Sequence, residues 1–330
     1  MRKRINPFAK IYRACNTGSL AEKFAHLPCF PRYLDIELTN RCNFHCLMCP
    51  VGTSSIKRKK GFMDRELFHR ILDEIQDHRT PLRFIRWGEP LLHPHILDFL
   101  TMAKSAGSLL HINTNGSLLS EDYMDAFIGI PVDSIKFSFQ GVDRRSYREM
   151  RNIDFFDGLL DRIRVLSERR GDRRRPYIHV CTSITYETPE QVQAFSKRVA
   201  PYADQISIGR TVLEHIDIPA TRLSEEDRRT LQHLKEQESV VKKRLDCPEI
   251  FDKLSINWDG TVSACCGDYD NLMLAGDVKQ NSLHEIWYSD AINRFRRLLI
   301  ADRHDDLPLC RFCYDALETQ NPGIQKTGLT

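Results

Sequence analysis

The sequence predicts an α/β protein: a parallel sheet built from about six strand–helix units, followed by a small cysteine-rich region. Three observations carry this. Apolar strand candidates alternate with amphipathic helix patterns through the first 215 residues. The alternation stops near residue 215. Beyond it lie short strands, turns and five of the eleven cysteines. A closed eight-unit barrel typically takes about 250 residues. Six units therefore imply a partial barrel or an open sheet, with right-handed crossovers.

The strand candidates, in order, are Tyr33–Thr39, Leu82–Trp87, Ser108–Asn113, Asp133–Phe139, Tyr177–Thr185 and Gln205–Gly209. Several are compact and rich in Ile, Val, Phe or Tyr, the texture of buried parallel strands. Leu67, Phe68, Ile71, Leu72 and Ile75 form the first helical stripe. The next runs from Pro94 through Ile96, Phe99, Leu100 and Ala103 to Gly107, with proline near its start and glycine past its end. Phe156, Leu159, Leu160, Ile163 and Leu166 form a third stripe. Thr188-Pro189-Glu190-Gln191 reads as a capping box with proline at the first helical position. Ser224 starts a charged connector helix. Asp259-Gly260 joins two strand-like runs, Lys253–Trp258 and Thr261–Cys266, as a hairpin. Ser282–Tyr288 and Ala291–Ile300 read as helices, and the chain from about Gln320 as a frayed tail. No internal repeat is present.

Composition narrows the function. Lys and Arg total 48 against 45 Asp and Glu, a net charge of only +3. A dedicated nucleic-acid binder carries a strong basic excess, so none is expected as partner. No apolar run reaches the roughly 18 residues of a membrane helix, and the basic N-terminus lacks the apolar core of a secretory signal. No membrane association is expected, and the expected location is the cytoplasm. Disulfides do not persist there, so eleven cysteines point to metal or cluster ligation.

Cys42, Cys46 and Cys49 form a C-x3-C-x2-C group directly after the first strand. Three thiolates on a tight loop can each bind one iron of a [4Fe–4S] cluster and leave the fourth iron open to a small molecule. Structural zinc normally takes four ligands in C-x2-4-C pairs. His45 is the available fourth ligand, but it is cramped between Cys42 and Cys46.

With this triplet the chain resembles the radical S-adenosylmethionine (SAM) enzymes, from Tyr33 to Tyr314. Trp87-Gly88-Glu89-Pro90, ending the second strand, is similar to the family's Gly-Gly-Glu motif, with Trp87 in place of the first glycine. The resemblance implies that Gly88 and Glu89 hold the methionine amino group of SAM. Thr114-Asn115-Gly116 ends the third strand, as in many members. Ser138 and Gln140 end the fourth, where the family uses polar groups near the ribose. Read alone, Gly88-Glu89-Pro90 also fits a plain turn, and Thr114-Asn115-Gly116 a common strand exit. Their order behind the triplet is what favours the resemblance.

The second constellation is Cys247, Cys265, Cys266, Cys310 and Cys313. One cysteine before the hairpin, one on it and the late C-x2-C pair can meet around one metal centre. A structural zinc knuckle fits the same count, because four thiols do not distinguish zinc from iron–sulfur. The pattern resembles the auxiliary-cluster domains called SPASM and their shortened form, Twitch. Its spacing is similar to that of the Twitch enzymes of the 2-deoxy-scyllo-inosamine dehydrogenase type. That resemblance implies one auxiliary cluster on Cys247, Cys265, Cys310 and Cys313, with Cys265 rather than Cys266 as ligand. The implied cofactors are two [4Fe–4S] clusters and SAM. The implied architecture is an extension at 1–32, a partial (β/α)6 radical SAM barrel at 33–215, a helical connector at 216–246, a SPASM/Twitch domain at 247–315 and a tail at 316–330.

Cys15 and Cys29 read as buried small hydrophobes. Cys181, on the fifth strand, and Cys266 are candidate hydrogen donors to a substrate radical. Only alternate residues of a strand face the barrel interior, so the strand's phase decides for Cys181. Arg86 and Arg210 stand at the C-terminal ends of strands, the catalytic end of an α/β barrel, and are substrate-anchor candidates. Lys57–Lys60 and the arginine-rich stretch 169–175 read as solvated surface runs. The first lies nearer the open end of the barrel, where it would attract an anionic substrate or a reductase.

The expected function is that of a radical SAM oxidoreductase. It would cleave SAM reductively and abstract hydrogen from a small carbohydrate-like or aminocyclitol-like substrate, oxidising an alcohol with the auxiliary cluster as electron acceptor. The segment before the first strand is short for a leader-peptide recognition domain, which favours the small molecule. A flavodoxin- or ferredoxin-type protein is the expected electron donor. The alternatives are a redox-neutral epimerase or decarboxylase, a peptide-modifying SPASM enzyme and, in a different class, a non-catalytic metal-binding scaffold.

Overall fold

The computed structural model describes residues 4–319 other than 212, 214, 215, 220, 222, 237–239, 243–245 and 314–316. Six parallel strands follow one another in space as in sequence: β1 (Tyr33–Ile36), β2 (Leu82–Phe84), β3 (Leu110–Thr114), β4 (Ser134–Ser138), β5 (Tyr177–Ile184) and β6 (Gln205–Arg210). Each is shorter than, or shifted by a residue or two from, its sequence candidate. This is the partial barrel expected. Its apolar positions share one face, with Leu34, Ile36, Leu82, Phe84, Leu110 and Ile112 all fully or almost fully buried.

Helices cover that face. Residues Arg65–Ile75 start at Asp64, whose side chain accepts from Leu67 N. Phe68 from this helix stacks on Phe99 from helix Ile96–Ser105, ring centroids 4.4 Å apart. Helix Pro189–Val199 carries the capping box at Thr188 and proline in its first turn. The connector helix forms at Glu225–Glu236.

The opposite face is polar. Asp35 on β1 accepts from Arg83 on β2 at 2.6 and 2.9 Å. His111 on β3 bonds Ser134 on β4, and His179 on β5 bonds Ser207 on β6. Burial pushes the imidazoles down, to about 3 for His111 and about 4 for His179. The N-terminal extension is folded onto this face. Phe8, wholly buried, packs against His111, and Tyr12 packs against Tyr33 and the Arg83 guanidinium.

The cysteine-rich region does not form a sheet of its own. A short strand β7 (Val240–Lys242) precedes it, and β8 (Lys253–Ile256) lies parallel to β1 on the side away from β2. The antiparallel β9 (Thr261–Ser263) and β10 (Leu274–Asp277) follow, so the sheet runs β10-β9-β8-β1-β2-β3-β4-β5-β6. The Asp259-Gly260 hairpin lies between β8 and β9, and Gly260 supplies the positive φ of 94° its turn requires. β8 is a buried strand although it carries Lys253 and Ser255. Lys253 is 1% exposed, and its ammonium sits 2.8 Å from Asp35. The pairing that makes the strand buriable spans more than two hundred residues. Residues 317–319 lie in the stretch the sequence assigns to a tail, yet they form β11 (Leu317–Thr319), antiparallel to β7. Tyr314 and residues 320–330 are outside the described residues. No helix among the described residues is long and apolar enough to cross a membrane.

Candidate active site

Parallel strands direct their C-terminal ends to one side. There the loops after β1, β2 and β3, with Ser138 and Arg151, enclose a cavity of about 290 Å³. Cys42, Cys46 and Cys49 all line it. Their loop is tightly wound: Cys49 N donates to the Cys46 carbonyl at 3.1 Å, and Thr53 N to the Cys49 carbonyl at 2.9 Å. Gly52 is needed here, since a Cβ on it would stand 2.3 Å from the Cys46 carbonyl oxygen.

The turn after β2 braces this loop. Glu89 N donates to the Arg41 carbonyl at 2.8 Å. Gly88 has a φ of 95°, and a Cβ there would meet the Thr39 carbonyl at 2.3 Å. Only glycine allows that approach. Glu89 itself is 2% exposed. It accepts from Thr114 Oγ1 at 2.7 Å, Asn115 N at 2.7 Å and Leu91 N at 3.1 Å. Burial pushes its carboxyl up, and these donors only partly offset that. Asn115 lines the cavity, with its amide on Asn43 Oδ1 at 3.0 Å.

Arg151 is the residue that sequence reasoning missed. It ends the helix Arg144–Arg151 and is buried, with Nη1 3.4 Å from Cys46 Sγ and Nη2 on the Ser138 carbonyl. Its Nε is buried with no hydrogen-bond partner among the described residues. Burial disfavours its charge, but Cys46, Tyr147 and Cys49 around it together more than compensate. The signal was present in the sequence. Tyr147, Met150 and Arg151 share a buried helical stripe, and an arginine in such a stripe calls for an anion.

The other candidates fall differently. Ser138 lines the cavity; Gln140 does not, and its amide is bonded to Thr211 Oγ1. Cys181 sits beside Ser138 in the β4–β5 register, on the half-buried phase of β5 with His179 and Ser183. That is the polar face. Arg210 ends β6 outside the lining of this cavity. Arg86 lines it, but its side chain is fully buried and already committed. Nη1 donates to the Cys265 carbonyl at 3.0 Å and Nη2 to the Asp268 carbonyl at 2.7 Å. This guanidinium is a tie between the cavity and the cysteine-rich region, not a free anchor. Glu37, 3.9 Å from Arg86 Nε, is held by both terminal nitrogens of Arg58, whose Nε reaches the Tyr269 carbonyl at 2.8 Å.

In the second cysteine group, Cys313 and Cys310 lie close enough to add to the rise that burial causes in Cys247, and Cys247 in turn adds to that of Cys265. Cys310 is pushed up to about 12 by burial and then by Cys313. The adjacent pair divides. Cys265 Sγ accepts from Gly267 N at 3.3 Å, whereas Cys266 Sγ lies 3.2 Å from Lys253 Nζ and 3.6 Å from Glu249 Oε2.

The donor sets suit thiophilic clusters. Burial pushes Cys42 up to about 12 and Cys49 to about 11, so these thiols ionise only beside a cation. Among the described residues, no three His, Cys, Asp or Glu side chains converge closely enough to hold a single metal ion. Two buried carboxylates and two buried guanidiniums line the cavity; Glu37 is held by Arg58 and Arg86 by the Cys265 and Asp268 carbonyls, which leaves Glu89 and Arg151 as the pair that matches an amino-acid zwitterion.

Comparison with known proteins agrees with this chemistry. Residues 36–199 match the model of the radical SAM superfamily, and residues 247–314 match that of the SPASM iron–sulfur cluster-binding domain. A stretch of 110 residues is 36% identical to the tungsten-containing aldehyde ferredoxin oxidoreductase cofactor-modifying protein of Pyrococcus furiosus, covering 32% of this chain and 30% of that one. The chain spans only 30–56% of the length of the first curated relatives it matches. Among solved structures, BtrN in complex with AdoMet and 2-DOIA aligns with a TM-score of 0.55 at 18% identity, over 86% of this chain and 93% of that one. Streptococcus suis SuiB bound to its precursor peptide SuiA aligns with a TM-score of 0.64 at 16% identity, over 88% of this chain and 72% of that one. At these identities the likeness is one of fold.

Proposed function

Since the chain belongs to the radical SAM superfamily and carries a SPASM iron–sulfur domain, it is a radical SAM enzyme that binds a [4Fe–4S] cluster, SAM and auxiliary iron–sulfur, and we propose that it oxidises an alcohol of a small polyhydroxylated substrate. When bound, the first cluster and SAM supply hydrogen-atom abstraction from an unactivated carbon. Cys42, Cys46 and Cys49 would hold that cluster. Glu89 takes the methionine ammonium, and Arg151, with its spare Nε, takes the carboxylate. Asn115 and Ser138 complete the wall. Cys247, Cys265, Cys310 and Cys313 hold one auxiliary cluster. Cys266 is already engaged by Lys253 and Glu249, which favours Cys265 as the ligand.

The observation that carries the oxidative reading is the Arg86 tie. It ties the Cys265 peptide to a residue of the cavity wall, so an electron acceptor held at Cys265 would be linked directly to that wall. Loss of a carbinol hydrogen atom and then of a proton leaves a strongly reducing carbon centre. An auxiliary cluster held there would supply an acceptor for the one further electron whose loss gives the carbonyl. Four cysteine ligands leave no open iron for substrate, which suits electron transfer. The fold likeness to BtrN, solved with AdoMet and 2-DOIA, supports a small aminocyclitol-like substrate. The likeness to SuiB keeps a peptide substrate as the second reading.

Turnover of aminocyclitols and sugars deuterated at each carbinol carbon tests this. The expected result is a product two mass units lighter than unlabelled substrate, with deuterium in 5′-deoxyadenosine. A product with the mass of unlabelled substrate in ordinary water that takes up deuterium in deuterated solvent, an uptake lost in Cys181→Ala or Cys266→Ala, would overturn oxidation in favour of epimerisation. For the SAM site, Glu89→Gln removes a charge-assisted hydrogen bond worth about 1.5–3 kcal/mol. SAM binding should weaken roughly ten- to a hundredfold while iron content holds. An unchanged SAM affinity would make Glu89 a turn residue only.

A further inference from the structure

The polar face of the sheet has two parts. At the strand starts it is saturated and covered. Asp35 and Arg83 hold each other there, and Phe8 of the N-terminal extension packs over His111. Toward the strand ends it stays open: Asn113, Lys136, Ser138, Cys181 and Ser183 are all half-buried. Asn113 and Ser138 line the SAM cavity. Lys136 adjoins both. It is in register with Asn113 on β3, and it lies two residues before Ser138 on the same face of β4. The wall of the SAM cavity therefore continues onto Lys136.

Lys136 is the odd charge of this face. Of the charged side chains that β1–β5 present on it, Asp35 and Arg83 are paired. Lys136 forms no hydrogen bond or ion pair among the described residues. Its neighbours supply no anion. His179, in register with it on β5, bonds Ser207 Oγ at 2.8 Å, and His111 bonds Ser134 and Asn113 at 3.0 and 2.8 Å. The ammonium adds to the lowering that burial, and for His111 also Arg83, imposes on both imidazoles. It therefore stands near both, and they stay uncharged at neutral pH. The two carboxylates of the cavity are also taken: Glu37 by Arg58, and Glu89 by Thr114, Asn115 and Leu91. A half-buried ammonium with no acid beside it attracts an anion.

We propose that Lys136 anchors an anionic group of the substrate, a carboxylate or a phosphate, so that the polyol oxidised is a sugar acid or a sugar phosphate. The inference rests on the radical SAM reading and narrows the substrate class. A neutral polyol leaves the ammonium unpaired, and a cationic aminocyclitol meets it with like charge. An anion seated on Lys136 lets the rest of the substrate run along β4 toward Ser138 and SAM.

The test titrates four compounds built on one ring into the reconstituted, SAM-loaded protein by calorimetry: glucose, glucosamine, glucuronate and glucose 6-phosphate. Glucuronate, glucose 6-phosphate or both should bind roughly tenfold or more tightly than glucose, and glucosamine no better than glucose. The anion preferred identifies the group as carboxylate or phosphate. The preference should vanish in Lys136→Met and persist in Lys136→Arg. Anions bound no more tightly than glucose, no binding of either anion, a preference unchanged in Lys136→Met or one lost equally in Lys136→Arg overturns the anchor. If Lys136→Met does not fold, Lys136→Gln replaces it; if neither folds, the wild-type ranking of the four compounds decides. Failure of the radical SAM reading is a separate result: a wild type that prefers the anions yet makes no 5′-deoxyadenosine with dithionite.

Discussion

Each of Cys42→Ala, Cys46→Ala and Cys49→Ala is expected to abolish reductive SAM cleavage while auxiliary iron stays bound. The three thiols line one cavity with Glu89 and Arg151, and they are the cysteines that line it. All three are needed to hold a cluster that keeps one iron free for SAM. Removing one leaves two thiols, too few to hold such a cluster, and Cys46→Ala also takes from the buried Arg151 the sulfur 3.4 Å from its Nη1. The second cysteine group is carried by a different part of the chain, from Cys247 onward, and retains its own ligands. The expected readout is loss of 5′-deoxyadenosine to background, with roughly half the reconstituted iron remaining, as for two clusters of equal size. Wild-type cleavage in any single variant contradicts the assignment of that cysteine.

Asp35→Asn is expected to produce the largest loss of stability. Asp35 is wholly buried between Arg83, at 2.6 and 2.9 Å, and Lys253, at 2.8 Å. Burial alone would push its carboxyl up, but the two cations outweigh burial and hold it well below the ordinary range. Breaking a buried pair by removing one partner typically costs about 3–5 kcal/mol, because the remaining charge stays uncompensated. Here Lys253 keeps Glu249, while Arg83 loses the carboxylate it chelates. β8 joins β1 through this pair, so the loss should release the cysteine-rich region first. The sign with pH follows from the depressed value. The contribution is complete above about 3.9, the value of a free Asp, and falls as pH drops below it. The urea midpoint of the reconstituted protein at neutral pH checks the magnitude. A shift equivalent to less than about 1 kcal/mol contradicts it.

The parts of this protein legible in its sequence are those whose cause is local. Alternating β1–β6 and helices appear because apolar residues recur with the period of each element, and capping residues such as Asp64 and Thr188 mark the helix starts. The cysteine triplet, Gly88 and Glu89 stand at strand ends, so their convergence on one cavity follows from parallel topology. What was hidden depends on distant partners. β8 carries a lysine and a serine and becomes a buried strand only because Asp35 awaits it on β1. Arg86 has the position of a substrate anchor, but its guanidinium is taken by the Cys265 and Asp268 carbonyls, far along the chain. Gln140 likewise turns to Thr211. Arg151 was legible in principle from its helical stripe; that it meets Cys46 was not.

Reductive cleavage of SAM in the thiol-lined cavity is the step on which every other expected result depends. The most direct measurement is anaerobic incubation of the iron- and sulfide-reconstituted wild-type protein with SAM and dithionite, without substrate. The account predicts 5′-deoxyadenosine and methionine, formed with reductant and absent without it. No 5′-deoxyadenosine, with a [4Fe–4S] signal intact in the same sample, would contradict it.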